Sequence, residues 1–131
     1  MTGFMLDTDI SSYIIKRRPA TLVEKFEKHG DMLNVSVITA AELRFGAEKA
    51  ARPKLVELIE AYLSRLAILD WTNEVTYHYA RIRSELERSG KPIGNMDLLI
   101  ASHAFSQEMI VVTNNLKHFS NVPGLKVEVW S

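Results

Sequence analysis

Three carboxylates occupy positions from which they could do chemistry together: Asp7, Glu42 and Asp97. Asp7 follows the apolar run Phe4-Met5-Leu6, Glu42 lies in Ser36-Val37-Ile38-Thr39-Ala40-Ala41-Glu42-Leu43, and Asp97 opens the apolar stretch from Leu98 to Ala104. Two carboxylates ~4 Å apart repel by ~4 kcal/mol at an effective dielectric near 20. Three converging acids, with no lysine in any of these segments, therefore call for a cation or a proton. Hard oxygen donors suit Mg²⁺ or Mn²⁺, held by one or two carboxylates, water and a substrate phosphate. Such an ion polarises a phosphodiester and orients water.

Each acid also has a purely structural reading. Thr8 or Asp9 is the expected N-cap of the helix that follows the first strand. Glu42 forms a capping box with Thr39 if Thr39 caps its helix, and lies in the second turn, free of capping duty, if Ser36 does. The sequence leaves both open. Asp97 falls in the first turn of a helix capped by Asn95, where the dipole favours an anion by ~0.3–1 kcal/mol. The four histidines, His29, His78, His103 and His118, show no metal-binding spacing and read as surface or packing residues. Gly90 and Gly94 flank a proline in a loop and make no phosphate-binding motif.

The elements that must position the acids alternate strand with helix. A strand at Phe4–Leu6 precedes a short helix, Ile10 to Lys16, ended by Lys16-Arg17-Arg18 and Pro19. A helix from Ala20 to Lys28 stops at Gly30, a strand covers Met32–Ser36, and a helix covers Ile38–Glu48. Pro53 opens a helix with Leu55, Leu58, Ile59, Tyr62, Leu63 and Leu66 on one stripe. Ala67–Leu69 is a strand, and Thr72–Ser89 a long helix with Val75, Tyr79, Ile82 and Leu86 inward, closed by Gly90. Asn95–Ser106 is a helix, Met109–Thr113 a strand, Asn115–Phe119 a turn and Leu125–Val129 the last strand. This pattern predicts an α/β fold: residues 1–131 as one three-layer domain, a mostly parallel sheet of about five strands, helices on both faces. Ligands of such sheets sit outside the carboxyl ends of the strands. If the first and fourth strands are central neighbours, Asp7 shares a crevice with Asn114 and Asn115.

Composition narrows the setting. The chain of 131 residues has no cysteine, which excludes disulfides and Cys-based zinc sites and suits a reducing cytoplasm. No apolar run reaches the ~18–20 residues of a membrane span. Lys+Arg and Asp+Glu each total 16, so a strongly basic nucleic-acid binder is not indicated, though local patches remain available.

The segments MLDTDI, SVITAAELRFGAEK, GKPIGNMDLLIASHA and VVTNNLKHFSNVPGLKVEVW resemble, in order and spacing, the PIN-domain ribonucleases, and within them the VapC toxins of bacterial toxin–antitoxin pairs. The resemblance implies an Mg²⁺- or Mn²⁺-dependent endoribonuclease with Asp7, Glu42 and Asp97 as its acids, Asp7 and Asp97 holding the metal. A fourth position, often Asp in the wider family, falls on Asn115, and Asp9 stands where the family usually has Asn or Cys. It also implies a VapB-like antitoxin as partner, a homodimer, operator DNA reached only through the antitoxin, and RNA as substrate. In several enteric members that substrate is initiator tRNA, cut in its anticodon region. Lys16, Arg17 and Arg18, with Lys91 and Lys117, are then the candidate RNA contacts; as structure alone the triplet is a solvated helix end. Two rivals stand beside this reading: a haloacid-dehalogenase-like phosphatase using Asp7 as nucleophile and Asp9 as acid, and a catalytically silent PIN-like regulator, favoured only by the neutral Asn115.

Overall fold

Phe4, Met5 and Leu6 are buried on both sides because they form the central strand, β1 (Phe4–Leu6), of a five-stranded sheet. The computed structural model describes residues 3–130; residues 1, 2 and 131 of the expected domain lie outside them. The other elements are α1 (Thr8–Ile15), α2 (Ala20–His29), β2 (Leu33–Ser36), α3 (Val37–Ala50), α4 (Pro53–Leu63), β3 (Ala67–Leu69), α5 (Asn73–Arg88), α6 (Asn95–Ser106), β4 (Ile110–Val112), α7 (Leu116–Phe119) and β5 (Val127–Glu128). The strand order is β3-β2-β1-β4-β5 and every pairing is parallel. Met5 pairs with Val111 and Leu6 with Val112, so β1 and β4 are the central neighbours.

Side chains of β1 alternate between two helical layers, as the two-residue strand period requires. Phe4 and Leu6 enter a core with Ile10, Leu22, Phe26, Leu43, Ile59 and Leu63, drawn from α1 to α4. Met5 enters the opposite core with Ile82, Leu86, Leu98, Ile100 and Phe119, from α5, α6 and α7. All five strands end at one edge, and α1, α3 and α6 start there or next to it. Among the described residues no helix is long and apolar enough to cross a membrane.

Several expectations change in detail. The segment after β4 is a short helix rather than a turn, and β5 has only two residues. Leu58 is 45 % exposed, at the rim of the α4 stripe, where it borders a shallow surface depression with Ile14, Phe26 and Tyr62. Gly90, at φ +71°, takes the left-handed position expected after α5.

Candidate active site

Asp7 itself caps α1, in place of the expected Thr8 or Asp9. Its Oδ1 accepts from the Ile10 N–H at 2.8 Å. Its Oδ2 accepts from the Thr113 hydroxyl, just past β4. Thr113 Oγ1 in turn accepts from the Asn115 N–H at 2.8 Å, tying the start of α7 to Asp7. The carboxyl is only 2 % exposed. Burial pushes its pKa from 3.8 to about 7, and the charges of Asp9 and Asp97 push it the same way, against the two hydrogen bonds.

The choice of cap for α3 falls to Ser36, whose Oγ accepts from the Ile38 N–H at 3.1 Å. Glu42 is thus free of capping duty, and its Oε1 accepts from the hydroxyl of Thr8, the residue after Asp7, at 2.5 Å. Thr8 Oγ1 also lies 3.4 Å from Thr39 Oγ1. Ser36 has a second partner: its Oγ is 2.7 Å from Nδ1 of His103 on α6. His103 is fully buried, and that burial holds it below its ordinary pKa. This contact clamps the start of α3, carrying Glu42, against α6, carrying Asp97.

Asp97 stands in the first turn of α6 with its side chain 28 % exposed. The N-cap there is Gly94, without a side-chain cap bond, so Asn95 is a helical residue and not the expected cap. His118 is a partly exposed residue with polar partners. Its Nδ1 lies 3.3 Å from Asp97 Oδ2 and 2.8 Å from the Asn115 amide nitrogen, inside the acidic edge. The signal in the sequence is the i, i+3 spacing of Asn115 and His118, which puts both on one face of a helical turn.

No Lys or Arg forms an ion pair with Asp7, Glu42 or Asp97 among the described residues; the arginine pairs are Arg44–Glu60, Arg65–Glu27 and Arg83–Glu87, all on the surface. Nor do three His, Asp or Glu groups there close tightly enough to form a ready-made metal cage. The donors along the edge are mostly hard oxygens, and an ion that takes one or two carboxylates and keeps its waters fits them. A groove of about 230 Å³ opens beside Thr8 and Glu42 and is lined by Lys16, Leu43, Leu55 and Ile59. Of the basic candidates, Lys16 faces this groove, and Arg17 borders the depression holding Glu27 and Arg65. Arg18, Lys91 and Lys117 are exposed, and their side chains take no part in the hydrogen bonds that hold Asp7, Glu42 and Asp97.

A parallel sheet with acids outside its strand ends places the chain among the α/β domains, and the sequence model of the PIN domain matches residues 4–125. Ribonuclease VapC2 of Haemophilus influenzae is 44 % identical over 131 residues, covering 99 % of each chain. The tRNA(fMet)-specific endonuclease VapC of Salmonella typhimurium is 40 % identical, again over 99 % of each. Among solved structures, DNA-bound VapBC from Salmonella typhimurium aligns with a TM-score of 0.95 at 40 % identity, covering all of both chains. VapBC2 from Rickettsia felis, bound to a promoter DNA fragment, aligns with a TM-score of 0.91 at 38 % identity over 98 % of each. The chain belongs to the VapC ribonucleases of the PIN-domain family. The phosphatase reading falls with that membership. In the structure Asp9 is exposed on the first turn of α1, outside the hydrogen bonds that hold Asp7.

Proposed function

We propose that this chain is the toxin of a VapBC pair, an endoribonuclease dependent on Mg²⁺ or Mn²⁺ that cuts initiator tRNA in its anticodon region. The observation that carries the reading is Asp7: a residue 2 % exposed, its carboxyl pushed to about 7 and pressed by Asp97, with no Lys or Arg paired to it among the described residues. A group held at that cost is suited to receive a cation. Asp7 and Asp97 would hold the ion, which when bound supplies Lewis-acid polarisation of the phosphate and offsets the acids' repulsion.

The chain's own residues supply the rest. Ile10 N–H and Thr113 hold the Asp7 carboxyl in one orientation. Thr8 holds one oxygen of Glu42, leaving the other to accept a proton from the attacking water. Asn115 adds a neutral amide, which contacts His118 at the same edge. Lys16, Arg17 and Arg18, with Lys91 and Lys117, engage phosphates of the RNA. The likeness to the DNA-bound VapBC structures supports a protein partner. We assign that partner as a VapB-like antitoxin, with operator DNA reached through it and a homodimer as the working unit.

The test is incubation of the antitoxin-free protein with initiator and elongator tRNAs in Mg²⁺. Cleavage confined to the initiator anticodon region, and abolished in Asp7→Asn, is the expected result. An intact initiator tRNA, or equal cutting by Asp7→Asn, would overturn the assignment.

A further inference from the structure

The turn after β4 brings three unlike donor groups together. His118 Nδ1 is 2.8 Å from the Asn115 side-chain amide and 3.3 Å from Asp97 Oδ2. One imidazole nitrogen either donates or accepts a single proton. It cannot accept from an amide N–H and donate to a carboxylate at once, so both contacts form only with the amide turned to present its oxygen. The same spacing has a second use. Neighbouring ligands of an octahedral ion bound at ~2.1 Å lie ~3 Å apart. Asp97 and Asn115 each stand from His118 Nδ1 at the separation of neighbouring ligands on one ion, with the amide turned to present its oxygen. His118 has a side chain 45 % exposed, so an ion from solvent can reach it.

The donor types then decide which ion. Mg²⁺ takes oxygen and seldom nitrogen, whereas imidazole favours first-row transition ions. We propose that His118 is a metal-selecting ligand: with Asp97 and the Asn115 amide oxygen it binds the divalent ion and biases the site toward Mn²⁺ over Mg²⁺. This rests on the metal-dependent reading of the acidic edge and assigns the residue that sets metal choice.

The experiment uses the antitoxin-free chain and MnCl₂ or MgCl₂ as the probes, followed by calorimetry, with pulsed electron paramagnetic resonance of the Mn²⁺-loaded protein. Wild type should show nitrogen modulation from a bound imidazole. His118→Leu should lose it, with Mn²⁺ affinity falling about tenfold or more and Mg²⁺ affinity staying within about twofold. His118→Gln, which retains a hydrogen-bonding side chain beside Asp97, should behave like the Leu variant if the imidazole coordinates. Unchanged Mn²⁺ affinity in both variants, or wild type without nitrogen modulation, overturns the role of His118 while leaving metal dependence in place. Failure of wild type to bind either ion overturns both readings.

Discussion

Replacing Asp7 by Asn should stabilise the metal-free protein at pH 8 and not at pH 4. The folded-state pKa of Asp7 is raised from 3.8 to about 7, so between those values the folded chain holds a proton that the unfolded chain has released. The sign follows directly. Wild-type stability falls as pH rises through this window, and the cost of the buried charge is complete above pH 7. At 1.36 kcal/mol per pH unit the ceiling is about 4 kcal/mol. Asn keeps the acceptor for Ile10 N–H but presents an N–H₂ to Thr113, whose proton loses its partner at about 1 kcal/mol. The variant should therefore gain about 3 kcal/mol at pH 8 and lose about 1 kcal/mol at pH 4. Urea denaturation in EDTA across this range, taken as the difference between the two proteins, isolates Asp7 because other groups titrate in both. A difference that does not change between pH 4 and pH 8, or a variant less stable at pH 8, refutes the reasoning.

Glu42→Gln should lose cleavage with its melting temperature nearly unchanged, since Ser36 caps the helix and Gln still accepts from Thr8; full activity would return Glu42 to a structural role. Ser36→Ala removes the cap of α3 and leaves His103 Nδ1 unpaired in the core, so urea denaturation should show a loss of about 2–3 kcal/mol. Neutralising Lys16, Arg17 and Arg18 together should flatten the salt dependence of RNA affinity, by ~0.7 in log–log slope for each single-strand phosphate that these cations no longer neutralise. An unchanged slope would leave the triplet a solvated helix end.

The strand–helix alternation is readable because β1 and β4 are continuous apolar runs and α4 and α5 carry apolar stripes. Strand order is not readable in the same way: Asp7 shares a crevice with the asparagines only if β1 and β4 are neighbours, and the register Leu6–Val112 makes them so. Caps are less legible. Thr8 and Asp9 are as good capping types as Asp7, and which residue turns into the helix depends on the Thr113 contact across 106 positions. The same limit hides His103 and His118. A histidine on an apolar helix gives no sign of a serine 67 positions away, and His118 gains meaning only once Asp97 folds against it. Local pattern reports period and polarity; it does not report which distant polar group will fill a buried vacancy.

The central claim is that water, activated at a metal-dependent acidic edge, cuts the RNA without help from the RNA's own 2′-hydroxyl. End-group analysis of RNA cleaved by the antitoxin-free protein tests it most directly, in Mg²⁺ or Mn²⁺ and again in EDTA. A 3′-hydroxyl and a 5′-phosphate, with no cutting in EDTA, are the predicted products. Cyclic phosphate ends formed in the presence of chelator would contradict the account, because they require a base and an acid acting on the 2′-hydroxyl with no ion involved.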